Sequence, residues 1–357
     1  MSEEFHKVRR LPPYVFEQVN RLKASARAAG ADIIDLGMGN PDLPTPKNIV
    51  DKLCEAVQDP RAHRYSSSKG IPGLRRAQAQ YYARRFGVKL NPDTQVVATL
   101  GSKEGFANMA QAITAPGDVV LCPDPTYPIH SFGFIMSGGV IRSIPAKPDE
   151  EFIRALERAV KHSIPKPLAL ILNFPSNPTA YVATLDFYKD VVDFARKNDL
   201  IILSDLAYSE IYFDDNNPPP SVLEVPGAMD VAVEFTSMSK TFSMPGWRMG
   251  FAVGNERLIG ALTRVKSYLD YGAFTPIRWR RPPRSMVTAP TSPMCEMSIS
   301  SAVMCSSIAL AALAGMFRHR LQQCLHGFRF QSASARWARL NSPSCLLKWP
   351  MWLLRPA

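Results

Sequence analysis

Between residues 46 and 277 short apolar runs alternate with stretches of helical period. The runs are Gln95–Leu100, Val119–Cys122, Leu168–Asn173, Leu200–Ser204 and Met249–Val253. Their apolar residues follow one another without polar alternation, which predicts strands buried on both faces of a mostly parallel sheet. Between two of them, Leu185–Asn198 spaces Phe187, Val191, Val192 and Phe194 along one side of a helix. Strands separated by helices predict an α/β domain with helices on both faces of its sheet. Residues 1–45 read as an N-terminal arm: Leu11-Pro12-Pro13, a helix over Tyr14–Ala29, then a short strand at Ile33–Leu36 running into a Gly/Pro-rich turn at Gly37–Asp42. No internal repeat is visible.

A chain of 357 residues is long enough for two domains. Met1–Lys7 has no apolar stretch of the kind a secretory signal needs. No apolar run approaches the ~20 residues of a membrane span. The six cysteines show no Cys-x-x-Cys pair, and the six histidines are scattered. Free thiols in a cytoplasmic protein without a metal site are the expectation. A net charge of +11 suggests nucleic acid until its distribution is inspected. Residues 278–357 hold ten Arg and one Lys against the single acid Glu296, a net of +10, so residues 1–277 carry +1. The body is nearly neutral, and no nucleic-acid or membrane partner is expected.

Ligands of such sheets sit beyond the carboxyl ends of the strands, and each strand end carries a candidate group. Gly101-Ser102-Lys103-Glu104 opens a helix whose free N–H groups suit an anion. Tyr127, in Pro125-Thr126-Tyr127-Pro128, can lie against an aromatic ring. Asn177, in Ser176-Asn177-Pro178, can donate to a ring oxygen, and the carboxylate of Asp205 can hold a proton on a pyridine nitrogen. Lys240 lies in Ser237-Met238-Ser239-Lys240-Thr241, eight residues before Arg248. Its amine can form a Schiff base with an aldehyde, while the hydroxyls of Ser237 and Ser239 and the Arg248 fork take a phosphate. Met238, Phe242, Met244 and Trp247 predict a covered site around it. Each segment alone is equally an ordinary turn or helix cap; their combination is hard to obtain from connecting turns.

From the arm to about residue 277 the chain resembles the class I/II pyridoxal-phosphate aminotransferases, and especially their bacterial alanine-forming branch. The marks are Asn177-Pro178-Thr179, Asp205-Leu206-Ala207-Tyr208, and Ser237-x-Ser239-Lys240 through Gly246-Trp247-Arg248-x-Gly250. The resemblance implies a pyridoxal 5'-phosphate cofactor, a homodimer, and amino transfer between an amino acid and a 2-oxo acid. It implies that Lys240 binds the cofactor and shuttles the proton, and that Asp205 faces the ring nitrogen. Asn177 and Tyr208 would face the ring oxygen, with Tyr127 stacked on the ring. Ser102, Lys103, Ser237 and Arg248 fall at phosphate-side positions, and Tyr65 at the tyrosine that reaches the neighbouring subunit's phosphate. Gly39 matches a glycine whose backbone meets the substrate carboxylate. Ala180 stands where the family often has Gly, and its methyl group predicts φ below zero and a slightly different turn. A lyase on the same fold, or a catalytically dead protein that keeps it, are the competing functions.

The resemblance implies residues 1–45 as arm and part of a small domain, and 46–277 as the cofactor-binding large domain. At residue 278 it stops. The tail 278–357 holds four of the five Trp and four of the six Cys, with no helical or strand period. Back-translated with one base restored near codon 278, Arg278–Thr291 reads VAATAALNGDGSDI, an apolar helix running into an Asn-Gly turn. A frame-shifted tail is therefore expected, with loss of the small-domain arginine that grips the substrate carboxylate, low solubility and weak or absent amino transfer. Sequencing the gene across codons 270–290 is expected to find one base missing; an intact frame, with the same tail codons in homologous loci, refutes the idea.

Overall fold

The structure is a computed structural model and describes residues 5–35, 39 and 41–278. Of the tail expected over 278–357, only Arg278 falls among the described residues. These residues divide into two units, 5–35 with 39, and 41–278. In the first, the helix expected over Tyr14–Ala29 runs from Val15 to Ala28. Lys23 and Asp35 pair at 2.6 Å. The strand expected at Ile33–Leu36 does not form over 33–35, and 36–38 lie outside the described residues. So short a run, closed by Gly37, has no ladder partner among the described residues, and a strand needs one.

The second unit is built on a seven-stranded sheet: β1 (Val96–Thr99), β2 (Val119–Asp124), β3 (Val140–Pro145), β4 (Ala169–Asn173), β5 (Ile201–Asp205), β6 (Ala232–Ser237) and β7 (Gly250–Gly254). Their order across the sheet is β1-β7-β6-β5-β4-β2-β3. β7 runs antiparallel to both its neighbours, and the other pairs are parallel. All five expected runs are strands. β3 escaped notice because it is a half-exposed edge interrupted by Arg142 and Ser143. β6 escaped because Glu234 interrupts its apolar run, although the whole strand is buried.

Successive residues of each strand feed opposite cores, which is why their sequences lack polar alternation. Leu170 and Leu172 point to one side, with Phe152, Leu156, Tyr188, Val191 and Val192 from the helices Glu150–His162 and Leu185–Lys197. Ala169 and Ile171 point to the other, with Phe106, Met109, Phe134 and Leu262 from the helices Ser102–Ile113, Pro128–Met136 and Glu256–Leu269. A fully buried side chain of this size contributes about 1.5–3 kcal/mol. The sheet is thereby clamped between two helical layers, and its carboxyl edge is held in place.

Glu234 is fully buried in β6. Its Oε1 accepts from Tyr82 Oη at 2.8 Å and Ser221 Oγ at 2.6 Å, and its Oε2 from Ser204 Oγ at 3.1 Å and the Val222 N–H at 3.3 Å. The four donors favour the carboxylate, but loss of hydration outweighs them and pushes the group up from 4.5 to about 7. Between those values the folded chain holds a proton that the unfolded chain has released. Stability therefore falls as pH rises from 4.5 through 7, by about 3 kcal/mol in all. Urea midpoints measured across that range are expected to show this loss for the wild type relative to Glu234→Gln; parallel curves would contradict it.

Candidate active site

The register aligns the carboxyl ends of the central strands. Asn173 at the end of β4 lies opposite Asp205 at the end of β5, and Asp205 lies opposite Phe235 in β6. Because β7 is antiparallel, its first residue, Gly250, lies on the same edge, opposite Ser237 at the end of β6 and Thr99 at the end of β1. The candidate residues that follow these strands therefore emerge on one edge.

Lys240 follows β6, the strand that sequence reading missed, in the single turn Met238–Thr241. Ser237 caps that turn, its Oγ accepting the Ser239 N–H at 3.2 Å. Half-buried Lys240 has its amine pulled below the usual lysine range by loss of hydration. Its Nζ lies 5.8 Å from the centroid of the Tyr208 ring. Met238, Phe242 and Trp247 pack with buried Ile49 and Met244 into an apolar cluster that includes part of this turn.

Tyr208 and Asn177 meet, Asn177 Nδ2 donating to the phenol oxygen at 3.4 Å. Burial raises the Tyr208 phenol, the Asp205 charge adds to that, and the Asn177 bond opposes it. Asn173 Nδ2 donates to the Asn177 carbonyl at 3.1 Å and steadies the turn. Within this turn Ala180 overturns an expectation: its φ is +58°, the left-handed conformation glycine would take. The turn closes through Ala180 N–H to the Ser176 carbonyl and Ser176 N–H to the Tyr181 carbonyl, both at 2.9 Å. These bonds and the exposed position of the methyl group let an alanine occupy the conformation.

Asp205 is buried and does not stand alone. His130 Nε2 lies 2.9 Å from its Oδ2, and Thr126 Oγ1 lies 2.7 Å from His130 Nδ1. With the carboxylate ionised, Nε2–H donates to Asp205 and Nδ1 accepts the Thr126 hydroxyl. The Ala207 N–H adds a bond to Oδ1 at 3.2 Å. His130 is fully buried, and sequence reading passed over it as one of six scattered histidines. The available signal was its place one helical turn after Thr126, in the helix that Pro128 opens. Tyr127 stands edge-on to His130, centroids 5.9 Å apart.

The anion end is shaped by missing side chains. Gly101, at φ +87°, precedes the helix Ser102–Ile113. A Cβ there would lie 2.4 Å from the Arg248 guanidinium, and one at Gly250 would lie 2.8 Å from both the Ser102 nitrogen and the Thr236 oxygen. Arg248 Nη2 donates to the Leu100 carbonyl at 3.1 Å and Nη1 to the Pro245 carbonyl at 2.9 Å. The guanidinium is thus braced at the N-terminus of a helix, where dipole and cation favour the same anion. Lys103 is exposed on that helix's first turn. Tyr65 is 86% exposed, its ring 4.7 Å from that of Tyr271. Gly39 belongs to the other unit. Among the described residues no cluster of metal ligands occurs, and no helix is long and apolar enough to cross a membrane.

A desolvated lysine, a braced carboxylate and a glycine-lined anion cradle on one sheet edge fit an aldehyde cofactor that carries a phosphate. The comparisons agree. Residues 31–272 match the family model "Aminotransferase class I and II". The chain is 88% identical over 276 residues to the Rhizobium meliloti (strain 1021) protein named "Putative aminotransferase AatC", covering 77% of this chain and 68% of that one. It is 49% identical over 277 residues to the Escherichia coli (strain K12) glutamate-pyruvate aminotransferase AlaC, covering 78% of this chain and 67% of that one. The substrate-bound BacF structure from Bacillus subtilis superposes with a TM-score of 0.76 at 33% identity, over 84% of this chain and 75% of that one. The chain belongs to the class I and II aminotransferases. Its cofactor is pyridoxal 5'-phosphate, and its reaction class is the transfer of an amino group.

The left-handed alanine gives a local test. Replacing Ala180 by Gly removes a steric cost of about 1–2 kcal/mol and returns part of it as unfolded-state entropy. Ala180→Gly is expected to raise stability by about 0.5–1 kcal/mol in chemical unfolding; a loss would mean that the φ of +58° is not kept in solution.

Proposed function

We propose that the sheet edge around Lys240 binds pyridoxal phosphate and moves an amino group between an amino acid and a 2-oxo acid, with glutamate and pyruvate as the pair to test first. The observation that carries this is the desolvated Lys240 amine poised over Tyr208, on the same edge as Asp205 and Arg248. The identity to the E. coli glutamate-pyruvate enzyme supports the substrate pair. Bound cofactor supplies a conjugated ring that takes up the electron pair left when the substrate's α-proton departs. Lys240 would hold the cofactor through its aldehyde carbon, and its amine, when free, would carry the α-proton. The lowered pKa leaves more of that amine unprotonated and ready for both tasks.

Asp205 would face the ring nitrogen and hold a proton there, and His130 with Thr126 keeps the Asp205 carboxyl aimed. Tyr208 and Asn177 would hold the ring oxygen, Asn177 would also face the substrate, and Tyr127 would cover the ring. Ser102, Lys103, Ser237, Ser239 and Arg248 hold the phosphate, and Gly39 offers its backbone to the substrate carboxylate. Tyr65 crosses to the neighbouring subunit's phosphate in a homodimer, a role its high exposure supports. The free thiols Cys54 and Cys122 suit a cytoplasmic protein. Residues 1–45 serve as arm and small-domain part, and 46–277 as the cofactor domain. The tail 278–357 is a frame-shifted remnant that leaves the substrate carboxylate without its arginine, so amino transfer by this chain is weak. Its support is the change in composition at residue 278, against 88% identity over 276 residues of the chain.

Borohydride reduction of the cofactor-loaded chain is expected to leave a mass increment on the Lys240 peptide, and Lys240→Ala to abolish it; an increment elsewhere would sink the assignment. Restoring one base at codon 278 is expected to raise glutamate–pyruvate transfer at least about a hundredfold. Brisk turnover by the 357-residue product would refute the impairment.

A further inference from the structure

Lys266 is a buried ammonium that the cofactor chemistry does not use. It lies in the last turn of the helix Glu256–Leu269, with its side chain 0% exposed. Nζ donates to Glu104 Oε1 and to Asp270 Oδ2, each at 2.8 Å. Taking an ammonium out of water costs several kcal/mol, and an apolar side chain would serve the core at least as well. The chain instead surrounds this cation with two carboxylates, and one of them reaches the anion end of the site.

Glu104 sits in the first turn of the helix Ser102–Ile113. Its Oε2 accepts the Leu100 N–H at 2.8 Å, and Oε1 also takes the Asn108 amide. The carbonyl of the same Leu100 accepts from Arg248 Nη2 at 3.1 Å. Leu100 is thus gripped by Glu104 through its N–H and by Arg248 through its carbonyl, one residue before the glycine against which the guanidinium packs. Glu104 therefore shapes the turn, but its negative charge stands in the same helical turn that is to receive a phosphate. An unopposed carboxylate there repels the incoming anion through a partly buried, weakly screened path.

We propose that Lys266 is a positioning residue for the anion end, a role that rests on the cofactor site proposed above. Its ammonium fixes the Glu104 carboxylate against the Leu100 N–H and offsets part of its charge, so that less of it opposes the pull of Arg248 and the helix N-terminus on the phosphate. Asp270 completes the pair and ties the same cation to the Gly272 N–H beyond the helix end. Lys266 touches neither cofactor nor substrate; it acts through Glu104.

A purely structural lysine and a charge-compensating one differ in which ligand they affect. Titrating the cofactor-free full chain with pyridoxal phosphate, and separately with pyridoxal, reports the phosphate contribution as the ratio of the two affinities. Lys266→Met is expected to weaken pyridoxal phosphate about tenfold and pyridoxal less than about twofold, as befits one uncompensated charge near the anion. In a Glu104→Gln background, whose carboxamide oxygen still accepts the Leu100 N–H, the same substitution is expected to cost less than about threefold. This double variant also buries less uncompensated charge and guards against a single variant that fails to fold. Equal weakening of both ligands, no weakening, or a loss undiminished by Glu104→Gln would each overturn the role of Lys266 while leaving the cofactor site intact. A wild-type chain that binds neither ligand would remove the site itself, and the role with it.

Discussion

The register of the parallel strands is the constraint on which the site depends. Each strand end releases the chain at a height set by its neighbour, and β4, β5 and β6 end nearly level. A slip of one residue in any of them would turn the apolar residues of that strand toward the wrong core and aim its terminal side chain to the other face. The packing that holds Leu170 and Ile171 in opposite cores is therefore the packing that keeps Asp205 and Lys240 on a common edge. The antiparallel β7 adds a strand start to that edge of strand ends, and with it Gly250.

Asp205, Glu234 and Lys266 are buried inside this framework, and the chain treats each differently. Asp205 receives an imidazole and a backbone N–H at the end of β5. Glu234 receives four donors but no cation, and burial wins, so that near neutrality it is divided between two protonation states. Lys266 receives two carboxylates. What separates Glu234 from Lys266 is the formal charge of the partner: neutral dipoles hold a buried ion less well than an opposite charge does. Asp205 is held by His130 Nε2 and the Ala207 N–H, so its carboxyl is fixed in direction at the end of β5.

Strands with unbroken apolar runs were legible because both faces are buried and the pattern follows burial. β6 was not, since a glutamate at the centre of a strand is the usual mark of exposure, and here four donors override it. β3 was hidden by the polar residues proper to an edge. The placing of Lys240, Asp205 and Arg248 beyond strand ends could be read from residue type and spacing, because strand ends and helix starts have local signatures. His130 could not: its contact with Asp205 spans 75 residues of sequence and exists only once β5 and the helix Pro128–Met136 lie side by side. The φ of Ala180 was misjudged for a related reason, since steric preference set the expectation and the hydrogen bonds of the closed turn set the outcome.

The glycine cradle also bears on how such a chain can diversify. At Gly250 a methyl group would meet backbone atoms of two different segments at once, neither free to retreat without breaking a strand or a helix start. Gly101 is closed from its other side by a braced guanidinium. Mutation has almost no viable steps to take at this end of the site, whatever substrate is under selection. Tyr127 and the turn at Asn177 are bounded by side chains and loops that can move. A lineage built on this scaffold would thus be channelled: the glycine end admits few substitutions, and variation is left to the turns at Tyr127 and Asn177.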